Sequence, residues 1–377
     1  MILSLILFLA IFTANPTPAH AQTAEAPIWH GFISQGFLKT TENNFLADSQ
    51  GGTFDFTEVG LNATQSLSDN IDVGAQLFSR KLGPSENFNV KFDWFYANYQ
   101  SSNWLKFKVG RIKIPFGLYN EQSDVDSARV PILLPQSIYP AQSRNYLLAQ
   151  NGVQIYGFGD LGSFGSLDYH VYAGSINVDL PPITSTAAII TQINIPYLIG
   201  TRLLWETPMN GLRTAITVQR LTGDFDVLAA GAPLTAHLPA IQWIASVEYA
   251  FYRLTLATEY AREYVKLESN SPLLPGAAQT SEQFYIMANY QLTDRFAPGL
   301  YYSMYTPDIL NRGAHERRLG DLAIYFRYDL NRNWLLKLEG HVMEGTAGLD
   351  TALNGGQPLS SLDDEWQAVL LKTTVSF

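Results

Sequence analysis

Cysteine is missing altogether from the 377 residues, and only 15% of them are charged. The first absence excludes disulfide-stapled modules and Cys-ligated zinc or iron–sulfur centres. The second, beside 13% aromatics, excludes an intrinsically disordered chain, which is rich in charge and poor in aromatics. Cations are the scarcer sign, 24 Lys and Arg against 34 Asp and Glu. A net charge of −10 speaks against a nucleic-acid binder, which needs a basic face. Long hydrophobic runs are lacking too. Residues 2–12 are apolar, but a membrane-spanning helix needs about 20 such residues, and later apolar stretches are soon broken.

What is present at the amino terminus reads as an export signal. The apolar run is followed by a Pro-containing stretch and by Ala19-His20-Ala21, a small-x-small cleavage site before Gln22. Residues 1–21 are therefore expected to be a signal peptide, although no Lys or Arg precedes the apolar run. The mature chain, 22–377, is expected to form a single domain.

From Ile28 onward the hydrophobic period is two. Val369, Leu371, Thr373, Val375 and Phe377 share one face of the last segment, opposite Ala368, Leu370, Lys372, Thr374 and Ser376. Leu322, Ile324, Phe326 and Tyr328 alternate with Asp321, Ala323, Tyr325 and Arg327 in the same way. Such alternation predicts strands with one apolar and one polar face. Sixteen segments fit: 28–39, 54–67, 71–81, 88–100, 104–114, 149–159, 166–176, 197–207, 211–222, 240–250, 253–267, 280–292, 295–305, 318–330, 333–344 and 364–377.

Connection length separates a membrane barrel from a soluble sandwich. Short turns such as Ser68-Asp69-Asn70 and Thr293-Asp294 alternate with long polar connections, among them 40–53, 115–148, 177–196 and 223–239. Short turns at one end and long loops at the other characterise outer-membrane β-barrels, whose strand number is usually even. Trp104, Trp205, Trp243, Trp334, Tyr290, Phe296 and Tyr328 fall near strand ends, where aromatic girdles meet the membrane interfaces. The expected fold is an all-β transmembrane antiparallel barrel of about 16 strands, lodged in outer-membrane lipid.

Polar-face residues are then the place to look for function. Within 80–113 stand Arg80, Lys81, Lys91, Lys106, Lys108, Arg111 and Lys113 against Glu86 and Asp93, a local excess of cations in an acidic chain. Lys106 and Lys108 alternate with Leu105, Phe107 and Val109, so both should face the lumen. A bulge at Gly110 would return Arg111 and Lys113 to the same side. Clustered cations in a low-dielectric frame raise the local concentration of anions. The blander reading is that they neutralise wall carboxylates such as Asp93 and Asp72. The longest connection, 115–148, carries Arg129 and Arg144 and many apolar residues, so it should pack on a surface rather than wave in solvent. A constriction loop folded into the pore is favoured over an external loop covering a neighbouring subunit.

The string Phe107-Lys108-Val109-Gly110-Arg111-Ile112-Lys113-Ile114-Pro115-Phe116-Gly117 resembles the G-R-x-K-x-P-F-G segment of the phosphate-selective porin O and P family. Signal peptide, strand number, a long loop after this motif and a terminal Phe extend the likeness along the mature chain. The resemblance implies a homotrimeric diffusion channel for small solutes with some anion preference, phosphate or organic acids, and matches Arg111 and Lys113 to the motif's basic positions. Glu206, Glu248, Glu259 and Glu339, which also point inward by phase, are a departure from a purely basic lumen.

Catalysis has little support. The five histidines outside the leader are scattered, without metal-ligand spacing. No Gly-rich phosphate cradle joins a strand to a helix. His170 with Asp168, or His341 with Glu339, could belong to a barrel hydrolase, the alternative reading together with a surface-binding barrel of closed lumen. At two-residue spacing on one strand face, a lumen hydrogen bond is the simpler role. No cofactor is expected.

Overall fold

A computed structural model describes residues 26–377 apart from 84–85, 179–182, 185–187, 230–231, 270 and 273. The expected signal peptide lies outside the described residues. Sixteen strands of nine residues or more follow one another. They are β1 (Ile28–Thr40), β2 (Phe56–Ser68), β3 (Ile71–Leu82) and β4 (Lys91–Ser102). Next come β5 (Leu105–Lys113), β6 (Ala149–Asp160), β7 (Ser166–Val178) and β8 (Ala188–Glu206). β9 (Leu212–Ala229), β10 (Ala232–Phe251), β11 (Leu254–Leu267) and β12 (Ala277–Tyr290) form the third quarter. β13 (Phe296–Thr306), β14 (Leu319–Asn331), β15 (Trp334–Glu344) and β16 (Glu365–Ser376) complete the wall. Two-residue segments, Glu86–Asn87 and Ile183–Thr184, pair onto β3 and β8.

Each strand pairs antiparallel with the next, and β1 pairs with β16 from Phe32↔Ser376 to Thr40↔Ala368, which closes the cylinder. Closure gives every wall strand a partner on both sides, the condition for a sheet to stand in hydrocarbon. The predicted facing holds: Leu322, Ile324 and Phe326 are exposed on the outside while Asp321, Ala323 and Tyr325 are buried within. An outer surface of Leu, Ile, Val and aromatic side chains around a polar interior belongs in a lipid bilayer.

Two sequence expectations need correction. The stretches 177–196 and 223–239 are largely ladder rather than loop. β8, β9 and β10 run for 19, 18 and 20 residues, and only 230–231 separates the last two. Above the bilayer both faces of a strand can be polar, so alternation stops while backbone pairing continues. Thr235 donates to Asp226 at 3.1 Å, and His237 meets Asp224 at 2.7 Å across the β9–β10 ladder.

The second correction concerns Gly110. The ladders run through it without a break, Tyr96↔Gly110 on one side and Gly110↔Gly152 on the other. The irregularity lies on the neighbouring strand, where Gln76 pairs with Trp94 and Leu77 with Phe92, leaving Asp93 as the extra residue. Gly110 is needed for another reason. Its φ of +134° disfavours any side chain, and a Cβ there would run into the carbonyl of Phe95.

Candidate functional site

The segment between β5 and β6 leaves the wall at Lys113, crosses the lumen and returns at Ala149. Its apolar residues account for the path. Phe116, Leu118, Leu134, Ile138 and Tyr139 are buried in one cluster with Tyr172, Ile244, Tyr285 and Tyr301 from the wall. Ile132 and Leu133 are buried in a second cluster with Leu38, Met343 and Leu370. Gly117 makes the entry turn with φ +58°, where a side chain would collide with Tyr139 and Glu259. A one-turn helix, α1 (Arg144–Leu147), ends the segment.

Polar contacts fix the loop to opposite walls. On β9–β12, the Gly117 amide donates to Thr217 at 3.2 Å and the Leu118 amide to Glu259 at 2.9 Å. Glu259 also accepts from Tyr139, Ser246 and Tyr285. On β15–β16, the Lys337 ammonium lies 3.0 Å from the Asp126 carboxylate and 2.7 Å from its carbonyl. Lys372 reaches Asp126 at 3.3 Å and Glu58 at 2.6 Å, and Thr374 donates to Asp126 at 2.7 Å. Glu339 accepts the amides of Ile132 and Leu133, and Arg327 donates to the Ser127 carbonyl at 2.6 Å. Burial would push the Asp126 carboxyl up, but Lys337, Lys372 and Arg129 hold it far below the usual carboxylate range.

The residues singled out by sequence fall into three groups. Arg80, Arg129 and Arg144, from β3 and two points of the loop, converge on one cavity of about 50 Å³ that also touches Glu58. Each is partnered: Arg80 with Glu86, Arg129 with Asp126 at 3.6 Å, and Arg144 with Asp93 through bonds of 3.0 and 2.6 Å. Arg144 also lies 3.9 Å above the Phe78 ring. The lining of this gap carries three guanidiniums against one carboxylate.

A second group, Lys91, Arg111 and Lys113, is engaged by protein partners. Lys91 pairs with Glu86 at 3.6 Å, Arg111 donates to the Asp93 carbonyl at 2.8 Å, and Lys113 meets Asp124 at 2.7 Å. The Asp93 carboxylate itself is held by Arg144 of the loop and by Gln76, and Asp72 by the neutral donors Ser66, Asn98 and Gln100. The bulge that doubles Asp93 and Trp94 opposite β3 gives Asp93 its reach toward Arg144 and Gln76.

Lys106 and Lys108 form the third group. Neither has a carboxylate within ion-pair distance among the described residues. Lys108 lies 4.8 and 5.0 Å from the rings of Tyr96 and Tyr156, and Lys106 lies 5.8 Å from Tyr156. A cation over a ring keeps its charge available to the lumen while losing part of its hydration.

Both histidine pairs are lumen hydrogen bonds. His341 is held by Asp321 at 2.8 Å and Glu339 at 2.9 Å. His170 meets Gln154 at 2.7 Å on one nitrogen, with Asp168 at 2.8 Å and Arg202 at 3.1 Å on the other. Every ring nitrogen of the two is engaged, so neither has one left to activate a nucleophile. Sequence reasoning missed Lys337, Lys372 and Arg327 as the loop's seat. Their inward phase was legible, but their contacts with Asp126 and Ser127 depend on the loop's path.

No family model matches the chain, and no curated protein matches it in sequence. Solved structures do match it in shape. An anion-selective porin from Comamonas acidovorans is 12% identical with a TM-score of 0.56, over 93% of this chain and 99% of that one. The outer membrane channel DcaP of Acinetobacter baumannii is 12% identical with a TM-score of 0.54, over 93% and 97%. In-vitro folded OmpT, an outer membrane protein of Vibrio cholerae in trimer form, is 9% identical with a TM-score of 0.57, over 93% and 99%. The chain has the fold of bacterial outer-membrane barrels. The comparisons do not confirm the narrower likeness to the phosphate-selective porin O and P family.

Proposed function

We propose that the barrel is an outer-membrane porin, a passive channel for small hydrophilic solutes that favours anions, and that 115–148 is its constriction loop. One observation carries this reading: Arg80, Arg129 and Arg144 meet from wall and loop around the same narrow gap. Lys106 and Lys108 add unpaired charge nearer the end with short turns, which in such barrels is periplasmic. Fixed cations in a low-dielectric frame enrich anions along the path, and the loop sets the size limit. Phosphate and organic acid anions are the solutes this favours. A homotrimer is proposed by analogy with the OmpT trimer. No chemical step or cofactor is invoked, since the two buried histidines are spent on hydrogen bonds.

Single-channel recording of the refolded protein in a planar bilayer, with a salt gradient, tests the reading. Steady current with an anion-leaning reversal potential is expected. A correctly folded barrel that carries no current would overturn it and favour a barrel with a closed lumen.

A further inference from the structure

On the side of the loop facing the long connections lies a second, larger cavity of about 320 Å³. Its chemistry differs from that of the arginine gap. Five amides reach it, Gln136, Gln142, Gln219, Gln242 and Gln283, with a single carboxylate, Glu263. Among the described residues lining it there is no lysine, arginine or histidine.

The amides are arranged, not merely present. Tyr172 donates to Gln219 at 3.0 Å, Gln219 to Gln242 at 2.9 Å, and Gln242 to Gln283 at 3.4 Å, which donates in turn to Ser281 at 3.3 Å. This chain orients three amides along the wall of β9, β10 and β12. Each uses one N–H and one lone pair in it, leaving a donor and an acceptor for a solute. The side chains of Gln142 and Glu263 have no hydrogen-bond partner among the described residues. Tyr146 and Tyr305 add flat faces, Ser137 and Ser143 add hydroxyls.

We infer that this cavity is a binding subsite for a neutral polyhydroxylated solute, a small saccharide, on the external side of the constriction. A hydroxyl both donates and accepts, and a side-chain amide is the uncharged group that answers both at once. An anion would find no cation here. A lone carboxylate among five amides suits one sugar hydroxyl as acceptor and is too little to define an amine site. At about 30 Å³ per water, the space equals about ten waters. The inference rests on the reading of the barrel as a diffusion channel only for its biological sense, since binding can be measured without current.

The test uses maltotriose, with citrate and spermidine as anionic and cationic comparisons, in calorimetry on the refolded barrel and in planar bilayers. Heat of binding and partial, reversible blockade by maltotriose alone are expected. The Gln242→Leu/Gln283→Leu variant should bind at least tenfold more weakly, and Glu263→Gln should stay within threefold because glutamine still offers an acceptor. Should the double variant fail to fold, Gln142→Ala, which removes no bond of the fold, should weaken binding severalfold. Absence of maltotriose binding, or binding of citrate or spermidine lost in the same variants, overturns the inference. Steady current with no maltotriose binding refutes the subsite and leaves the channel; binding lost in the variants without current keeps the subsite and refutes the channel.

Discussion

Removing the Asp126 carboxylate tests whether the loop's position is set by its seat on the wall. Asp126 is shared by Lys337 at 3.0 Å, Lys372 at 3.3 Å and Thr374 at 2.7 Å, and both lysine side chains are fully buried. Lys372 keeps Glu58 at 2.6 Å when Asp126 is lost, whereas Lys337 keeps only the carbonyls of Asp126 and Pro131, at 2.7 and 3.2 Å. Breaking a buried pair from one side costs about 3–5 kcal/mol, because the remaining charge is left uncompensated. At 1.36 kcal/mol per decade this shifts the docking equilibrium by about two to three and a half powers of ten. In Asp126→Ala the loop should therefore leave its seat for part of the time. Unitary conductance should rise with added current noise, and chymotrypsin should cut within 115–148. Asp126→Ala with Lys337→Met should restore the quiet, smaller conductance, since the stranded charge is gone. Equal conductance, noise and protease resistance in wild type and Asp126→Ala would refute the reasoning.

Charge reversal of Lys106 and Lys108 to Glu should move the reversal potential toward cation selectivity, and an unchanged potential would mean that these ammoniums do not face the solute path. Arg in place of the exposed, mid-strand Ile324 should cost about 2–4 kcal/mol, read as a lower temperature for loss of the folded band in gels. Asp126 has a depressed folded-state value, so its contribution is present above the unfolded carboxylate value of about 3.9 and is lost only as pH falls further, through the folded one. Conductance should accordingly stay level from pH 6 down to pH 4, and a step near pH 5 would contradict this. Deleting part of 120–145 should raise unitary conductance, and no change would mean that the loop does not limit the path.

The wall was legible because lipid on one side and polar groups on the other force a period of two, as in Leu322 to Tyr328. That pressure ends at the membrane surface, which is why the upper parts of β8, β9 and β10 read as loops although their ladders continue. Lys106 and Lys108 were placed inward by the same period. Gly110 misled because glycine marks both bulges and close backbone approach, and only the pairing separates the two. Arg129 and Arg144 were visible as charges on a long loop, but not their convergence with Arg80. Convergence depends on where an irregular segment crosses a lumen, and local pattern does not encode that crossing.

The seat of the loop also orders events in time. Asp126 and Thr374 are 248 residues apart in sequence, and Asp126 and Lys337 are 211 apart. Contacts this distant form late, because the chain between them must first be brought together. β15 and β16 are the last wall strands to be made and include the closing pair with β1. Until they arrive the loop has hydrophobic residues but only half a floor, so a barrel short of its final hairpin would be wide open as well as incomplete. Closing the wall and seating the loop thus depend on the same two strands.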